Sequence, residues 1–521
     1  MCSTVDGRDG KIRLGESMML NAKEKNLIKF CIVFTFVFGL AAHAFQFLNF
    51  QYSHDSFDGL YFPGRETVHK IGLGRVFIHI YRSIFLGEFS IPWMTGMLGL
   101  LWIAGAAFFV IKCLDIENNL IKALICGIMA TNHTVIATAA TFIHDFDANM
   151  FGMMLCCFAV YLWKNKKRIW IIIGAAAIAI SLGIYQSYIS VSIVLILLVL
   201  LQQILDNEKI SNIIKNAFWA MTMGFGSILL YVISLKWMTK ITNVGYASRG
   251  NSITALSALG EENILIRVKD CYKTWFEYFK EYKTNWISDG LIYNIHIAII
   301  LIAIGLVVYL MVRNKISKCA AIFCTAIVLL LPLAMNMIYI ISVSTYHDLM
   351  KYGMCFIYII ALMLADRCKI NPARTVTIAL VGIIVFCEIQ TANLVYLKKN
   401  LTYQATYAQM TYVLHDIIDL GYEPENTTLC VTGMIDIEGY DEFEDINRIT
   451  GANHENVITK DEKSIDHYFD YVLGYPVNVT SDSEFDEIIS KQEYIDMPVF
   501  PEKGYVDYID NVLVVKLMNI E

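Results

Sequence analysis

The sequence predicts an α-helical polytopic membrane protein of about eleven transmembrane helices, followed by a small C-terminal extracytoplasmic α/β domain. Three observations lead to this fold class. The 521 residues are 56% hydrophobic and only 17% charged, and their mean hydropathy of +0.51 is too high for a water-soluble surface. Apolar runs of about 20 residues recur along the chain, each long enough to cross roughly 30 Å of hydrocarbon. The runs are continuous rather than alternating, which favours helices over a barrel.

The predicted spans follow one another closely through most of the chain. The polar N-terminal segment 1–26 has no small-residue cleavage site, so the first span is expected to stay in the chain. The 13 cysteines stand mostly singly within apolar runs and form no C-x-x-C pair, so neither metal-thiolate nor redox chemistry is predicted. In chain order, the spans lie near 27–47, 94–113, 121–140, 148–163, 169–185, 187–205, 217–235, 291–312, 319–343, 350–365 and 374–397.

The distribution of Lys and Arg in the short connections predicts the orientation. The connections 164–168 (KNKKR), 313–318 (RNKISK) and 366–374 (DRCKINPAR) are basic and would share a side with the N-terminal segment. The connections 141–149 and 184–188 contain no Lys or Arg. Because cytoplasmic connections are enriched in these residues, the N-terminus is predicted to be cytoplasmic and the C-terminus extracytoplasmic.

Composition changes near residue 398. The residues from there to the end include 25 Asp and Glu against 8 Lys and Arg, whereas the preceding residues carry 23 acidic and 33 basic side chains. This acidity is typical of a solvated face rather than a ligand site. Strand-like runs at 427–437 and 511–518 alternate with helical stretches at 404–419 and 484–490, which predicts a small α/β domain. The predicted units are a cytoplasmic segment 1–26, a transmembrane domain 27–397 with outer loops 48–92 and 236–290, and an extracytoplasmic acidic domain 398–521.

Three clusters of acidic and histidine residues interrupt the apolar pattern, and all three fall in loops predicted on the outer face. Ionisable groups near membrane depth cost several kcal/mol unless they are paired or functional. Three such clusters on one side therefore predict a single outward-facing polar cavity. The members are His54, Asp55 and Asp58 in the first outer loop, His144, Asp145 and Asp147 in the second, and Tyr346, His347 and Asp348 in the loop before the tenth span.

A cationic stripe is predicted in the first outer loop. The run 75–86 (RVFIHIYRSIFL) has the pattern of an amphipathic helix, in which Arg75, His79 and Arg82 share one face. Such a helix would lie in the interface plane, where guanidinium groups can bind the phosphate of a lipid. The alternative is that both arginines simply extend to anionic headgroups.

Simpler structural roles are also open for the other polar residues. Asp55 could end the first helix or form an Asx-turn, and Asp145 or Asp147 could cap the fourth span. The run YQSY, with Tyr185 and Gln186, could be a short turn between two spans or could place polar groups at the cavity rim to contact sugar hydroxyls.

The chemistry that suits this cavity is glycosyl transfer from a lipid-phosphate donor. A carboxylate would act as general base on the acceptor hydroxyl, and cations would stabilise the departing phosphate. No phosphate-binding glycine loop precedes a helix, so a pre-activated lipid carrier rather than a nucleotide sugar is expected. Two alternatives are a transporter or flippase of a lipid-linked glycan, although paired broken helices are not evident, and a glycan polymerase or ligase.

The sequence motifs resemble one known family. The runs SHDSFDGLYF, KIGLGRVFIHIYR, TFIHDFDANMFGMMLCCFAVYLW, GIYQSY and YHDLMKY are similar to those of the bacterial serotype-converting glucosyltransferases, members of the GT-C class of polytopic transferases. The resemblance implies that a hexose, most often glucose, moves from a polyprenyl-phosphate donor to a cell-surface glycan on the outer face of the bacterial cytoplasmic membrane. It implies the bilayer, a flippase and a donor synthase as partners, no nucleic acid, no cofactor and no metal, although the acidic clusters are able to hold a divalent ion.

The resemblance also implies residue roles. An essential acid in the first outer loop matches Asp55, with Asp58 as the second candidate. The family often has an adjacent acidic pair followed by Gly-Arg, whereas this chain has HDS and, separately, LGR ending at Arg75, so the identity of the base stays open. The resemblance implies Arg75 as a donor-phosphate contact, and the cationic stripe adds Arg82 and His79 to the predicted phosphate site. The resemblance implies Asp145, Gln186 and His347 as cavity residues, and the polar clusters and the YQSY run add His54, His144, Asp147 and Tyr185. Loop 236–290, with its aromatic and basic residues, is predicted to form a second amphipathic cover.

Overall fold

The structure is a computed structural model that is mostly helical. It describes residues 21–49, 51, 53, 63–85, 91–165, 168–245, 264–284, 286–341, 346–435, 443, 446, 449 and 462–519. The helices of the first half are α1 (Ala22–Leu48), α2 (Pro63–Gly72), α3 (Ile78–Phe85), α4 (Pro92–Cys113), α5 (Asn119–Thr131), α6 (His133–Thr141), α7 (Phe146–Lys164), α8 (Arg168–Leu182), α9 (Ile189–Leu205) and α10 (Ile210–Thr242). They are followed by α11 (Ile264–Lys280), α12 (Asp289–Arg313), α13 (Lys318–Met335), α14 (Met337–Ile341), α15 (Phe356–Arg367) and α16 (Asn371–Asp419).

Each of the eleven predicted spans falls on a helix. In the part of the chain that the structure describes, nine helices are long and apolar enough to cross a membrane, with α5 and α6 counted as one. The other two predicted spans coincide with shorter helices, α8 of 15 residues and α15 of 12 residues. The helical membrane-protein class predicted from hydropathy is therefore supported, with two of the expected spans shorter than predicted.

Local side-chain chemistry determines where several helices begin. Asn21 and Glu24 form a reciprocal capping box at the start of α1. Asn132 divides the third span, because its amide donates to the Ile128 carbonyl of α5 and its side-chain oxygen accepts from Val135 N of α6. The following helices pack in a bundle in which α4 contacts α1 and α7, and α8 contacts α7 and α10.

The C-terminal unit contains the predicted small sheet. Its elements are β1 (Thr428–Thr432), α17 (Glu462–His467), α18 (Asp482–Ile489), α19 (Gln492–Asp496), β2 (Val506–Ile509) and β3 (Val512–Lys516). The strand order is β1-β3-β2, with β1 parallel and β2 antiparallel to β3. The two predicted strand runs are thus confirmed as β1 and β3.

The helix α16 joins the membrane segment to this unit without interruption. It runs through the boundary predicted at 397/398 and continues for 22 further residues to Asp419. Met410, Val413 and Ile417 from its last turns are buried in one core with Leu429 of β1 and Leu513 of β3. The C-terminal core therefore includes the end of the last long helix.

Candidate functional site

Three connections that are distant in sequence meet at one end of the helical bundle. Ser53, at the start of the first outer loop, donates its hydroxyl to the Thr141 carbonyl at 2.6 Å. Phe77 N, before α3, donates to the Gly183 carbonyl at 2.7 Å. Lys70 of α2 forms an ion pair with Asp145. The first outer loop thus contacts both the α6–α7 and the α8–α9 connections.

Asp145 lies between two cations. It occupies the N-cap position of α7, but its side chain makes no capping hydrogen bond. Instead Arg82 Nη2 donates to Asp145 Oδ1 at 2.6 Å, and Lys70 Nζ donates to Oδ2. His144 Nε2 is 3.5 Å from the same Oδ2. All four side chains are buried, and because buried charges are costly unless paired, this group ties the first outer loop to the start of α7.

Asp147 is held by a neutral hydroxyl. Tyr81 Oη donates to Asp147 Oδ2 at 2.8 Å, and Trp102 Nε1 donates to Tyr81 Oη at 2.8 Å. Burial, together with the neighbouring Asp147, raises the pKa of Tyr81, so the phenol stays protonated and remains a donor at neutral pH. Within the described residues, Asp147 forms no ion pair.

A tight turn positions the backbone before Arg75. Gly74 has a φ of +81°, a conformation that side chains other than glycine rarely adopt. Tyr231 Oη of α10 donates to the Gly74 carbonyl at 3.1 Å. Gln186 Nε2 donates to the Leu73 carbonyl and to Tyr231 Oη, each at 3.1 Å. The YQSY run is therefore a turn, and its amide side chain also fixes the first outer loop.

Arg75 differs from the other cations of this loop. Its guanidinium carbon lies 4.8 Å from the centre of the Tyr185 ring, a cation–π distance. The side chain is only half-buried, and it has no carboxylate partner among the described residues. Arg82, by contrast, is engaged by Asp145. Among the described side chains of this loop, Arg75 keeps hydrogen-bond donors available.

The helix α3 turns its polar face inward. Its buried side chains are Ile78, Tyr81 and Arg82, whereas Ile84 is 70% exposed and Ile80 is 40% exposed. The predicted amphipathic helix over 75–86 therefore begins three residues later, and Arg82 contacts the protein rather than the surroundings. Arg75 precedes the helix and does not share a helical stripe with Arg82.

Of the remaining predicted site residues, the structure describes His79 and His347. His79 is half-buried, its Nδ1 has no hydrogen-bond partner in the described structure, and burial lowers its pKa, which disfavours a cationic ring. His347 is exposed and immediately precedes the 3-10 segment Asp348–Met350. The predicted residues His54, Asp55 and Asp58 lie outside the described residues.

A second buried polar pair was not predicted from the sequence. His133 Nδ1 donates to Glu388 Oε2 at 2.7 Å, and the other ring nitrogen of His133 has no hydrogen-bond partner among the described residues. The His133 ring lies 4.6 Å from that of Tyr282. Nearby, Lys351 Nζ is 5.9 Å from the Tyr278 ring centre. The sequence analysis also missed Lys70, Tyr81 and Tyr231, although Lys70 and Tyr81 stand within the run that carries the resemblance.

Among the described residues, neither the Asp145 group nor the His133–Glu388 pair has the composition of a metal site. Among the described residues, no cluster of three or more His, Cys, Asp or Glu side chains is arranged to hold a metal ion. The Asp145 carboxylate already contacts two cationic side chains, so it has little capacity for a third positive charge.

Comparison with known proteins assigns the chain to a family. Residues 44–365, more than half of the chain, match the family described as glucosyl transferase GtrII. Searches of curated proteins and of solved structures gave no match. The matched region includes α2 to α14 and all but the last two residues of α15, and therefore the whole Asp145 group, Arg75 and Tyr231. This chain belongs to the glucosyl transferase GtrII family, and it is a glycosyltransferase with membrane-type helices.

Proposed function

We propose that the protein transfers glucose from a polyprenyl-phosphate donor to a cell-surface glycan on the outer face of the cytoplasmic membrane. The family supports glucosyl transfer. The lipid-linked donor is supported by the position of the polar site at the ends of apolar helices and by the absence of a nucleotide-binding glycine loop from the sequence. A synthase that charges the lipid carrier and a flippase that moves it outward would supply the donor.

The proposed orientation has the N-terminus in the cytoplasm and the C-terminus outside. The Asp145 group lies at the start of α7, whereas the basic connection 164–168 follows its end. A helix of 19 residues is about 28 Å long, so the two lie on opposite sides of the hydrocarbon. The basic side is the expected cytoplasmic side, which leaves the polar site facing outward.

Arg75 carries this proposal, because it is the cation best suited to the donor phosphate. Its guanidinium stacks on Tyr185, is half-exposed and has no described carboxylate to neutralise it. A planar guanidinium forms two parallel hydrogen bonds to phosphate oxygens and stabilises the charge that develops as the phosphate departs. Lys70 and Arg82 are less suitable, since Asp145 already accepts their hydrogen bonds.

We assign the general base to Asp55, with Asp58 as the alternative. Asp145 and Asp147 are both engaged, one by two cations and the other by Tyr81. The described contacts at the start of the SHDSFD run and after it support this choice. Ser53, the first residue of the run, donates its hydroxyl to the Thr141 carbonyl, and Lys70, twelve residues after the run, pairs with Asp145.

The reaction then needs one carboxylate and one phosphate-binding cation. The carboxylate accepts the proton of the acceptor hydroxyl while that oxygen forms a bond to the anomeric carbon of the sugar. The bond between the anomeric carbon and the donor phosphate oxygen breaks, and the electron pair leaves with polyprenyl phosphate. Arg75 would stabilise this leaving group as its charge increases.

The test is a transfer assay on the purified full chain. Polyprenyl-phosphate glucose and cell-envelope glycan are incubated with the protein, and a product heavier by one hexose is sought by mass spectrometry. Asp55→Asn should abolish the product, and Arg75→Ala should lower kcat/KM by about 10²–10³-fold, the cost of one oxyanion donor. Arg75→Lys should be intermediate, since it keeps the charge but not the planar donor pair.

Lys269→Ala is the matched control. Lys269 is an exposed cation in the other long outer loop with no described partner, so its loss should leave kcat/KM unchanged. Full activity of Asp55→Asn would move the base to Asp58, and full activity of both Asn variants would reject a base in the first outer loop. Movement of the lipid-linked sugar without a new glycosidic bond would favour the transporter alternative over the proposed reaction.

A further inference from the structure

A cavity lies at the other end of the bundle from the candidate catalytic site. It has a volume of about 280 Å³ and is formed between the end of α7, the start of α8 and the start of α10. A cavity of this volume holds several water molecules and is large enough for a phosphate group. Its lining residues are Trp163, Arg168, Ile171, Asn212, Lys215, Asn216 and Trp219.

The lining combines two cations that have no carboxylate partner among the residues the structure describes. Arg168 at the start of α8 and Lys215 on α10 are exposed, and neither forms an ion pair or hydrogen bond in the described structure. They belong to different helices and flank the same cavity. Two unneutralised cations around a concave site attract an anion, and an arginine with a lysine is a common pair of phosphate ligands.

The polar and aromatic residues of the cavity are ordered on one helix face. Asn212, Lys215, Asn216 and Trp219 follow a spacing of three and four residues along α10, so they lie on one side of that helix. Trp163 Nε1 of α7 donates to the Asn216 carbonyl at 3.1 Å and joins the two helices below the cavity. The cavity therefore lies beside a hydrogen-bonded helix contact and has exposed cationic side chains in its lining.

Its position along the helices matches the headgroup region of a membrane. The cavity lies where three apolar helices begin or end, and indole rings are enriched at that depth. Basic pockets between helices on the cytoplasmic side bind the phosphates of anionic lipids. The adjoining connection KNKKR adds further positive charge in the sequence.

We propose that this cavity binds the phosphate of a net-negative phospholipid headgroup, with Arg168 and Lys215 as the anion ligands and Asn212 as an additional donor. The site is separate from the transfer reaction, because it lies at the opposite end of α7 from Asp145. Its function is to link the start of α8 to α10 at the membrane surface through one shared anion.

The test measures binding to the purified, detergent-solubilised full chain by native mass spectrometry. The probes are dioleoyl phosphatidylglycerol, dioleoyl phosphatidylcholine and inorganic phosphate. Phosphatidylglycerol should bind at least about tenfold more tightly than phosphatidylcholine, which corresponds to about 1.4 kcal/mol. The double variant Arg168→Ala/Lys215→Ala should lose about tenfold or more of the phosphatidylglycerol affinity.

Two further variants make the result specific. Lys318→Ala removes an exposed cation at the same end of the bundle that does not line the cavity, and it should bind phosphatidylglycerol as the unmodified chain does. The exchange Arg168→Lys/Lys215→Arg keeps both charges and should retain binding. Because Arg168 and Lys215 are exposed, their truncation removes no buried contact, and an unchanged melting temperature verifies that the fold is intact.

Competition between the probes also shows whether the bound phosphate belongs to a lipid or is free in solution. Phosphatidylglycerol binding that inorganic phosphate does not displace supports a lipid ligand, whereas displacement at similar concentrations supports the same anion site with a free phosphate as ligand. Equal affinities for the two lipids would overturn the proposal. So would a double variant that binds phosphatidylglycerol as tightly as Lys318→Ala.

Discussion

Removal of the Asp145 charge should lower the stability of the protein far more than the small change in side-chain structure suggests. The substitution Asp145→Asn leaves Lys70 and Arg82 buried, with side-chain exposures of 5% and 10%, and without the carboxylate that both contact. Removing one partner of a buried ion pair typically costs about 3–5 kcal/mol. We therefore expect Asp145→Asn to lower the free energy of unfolding by at least this amount.

Asp147 provides a matched control two residues away. Both carboxylates belong to residues that are 1% exposed, but the described partner of Asp147 is the neutral Tyr81 hydroxyl. An asparagine oxygen accepts that hydrogen bond as well, so Asp147→Asn should change the unfolding free energy by only about 1 kcal/mol. The difference in unfolding free energy between the two variants therefore measures the contribution of the ion pairs separately from that of burial.

The cysteines of the chain provide the assay. Every described cysteine except Cys319 is buried, so a fluorogenic thiol reagent reports unfolding as the solubilised protein is heated. At about 2 °C per kcal/mol for a long chain, Asp145→Asn should melt about 6–10 °C below the unmodified chain.

A triple variant tests the physical cause. Lys70→Met/Arg82→Leu/Asp145→Leu removes all three charges, and buried ion clusters replaced by apolar groups of similar size are often no less stable. We expect the triple variant to recover most of the lost melting temperature. The reasoning is refuted if Asp145→Asn melts together with Asp147→Asn, or if the triple variant is as unstable as the single one.

Three further predictions use the same melting assay. Glu388→Leu should cost about 1–3 kcal/mol because it leaves His133 buried with neither ring nitrogen bonded, and the double variant with His133→Leu should recover most of this loss. Gly74→Ala should cost about 1–2 kcal/mol and raise the KM for the lipid donor, since a Cβ at this residue would lie 2.5 Å from Tyr231 Oη and displace the turn before the phosphate-binding arginine. Gly433→Ala, at a φ of +75° beside the end of β3, should destabilise the C-terminal unit by a similar amount without changing the KM.

The spans were predictable because hydropathy is a local property. An apolar run of about 20 residues specifies a buried helix with little help from the rest of the chain, and all eleven runs are helical. The lengths of the helices were less predictable where the backbone departs from α-helical geometry. The tenth predicted span begins in two 3-10 segments, Asp348–Met350 and Tyr352–Cys355, so only 12 residues remain for α15.

The C-terminal boundary illustrates a different limit. Composition changes at residue 398, but α16 continues to Asp419 because the polar residues beyond 398 are still compatible with a helix. The apolar face of this last part of α16 packs in the core of the C-terminal unit. A change of charge therefore marked a change of environment rather than an end of secondary structure.

The site was predictable in its composition but not in its pairing. His144, Asp145 and Asp147 were identified as ionisable groups in an apolar setting, and the same reasoning applies to Glu388, the sole acidic residue between 367 and 415. The cations that Asp145 contacts are 63 and 75 residues away in the chain. No periodicity connects residues at such separations, so these partners could not be read from a single sequence.

The distribution of charge around the first outer loop determines where a lipid phosphate would be attracted. Among the described residues, Lys70 and Arg82 are balanced by Asp145 and Asp147, so the group around the start of α7 carries no net charge when all four are ionised. Such a group holds loops together but attracts an anion only weakly. Among the described residues of the first outer loop, Arg75 has a guanidinium beside the Tyr185 ring and no carboxylate partner. A phosphate is therefore attracted to Arg75 rather than to the balanced group, and that group holds α2 and α3 of the first outer loop, the loop from which the proposed base would act, against the start of α7.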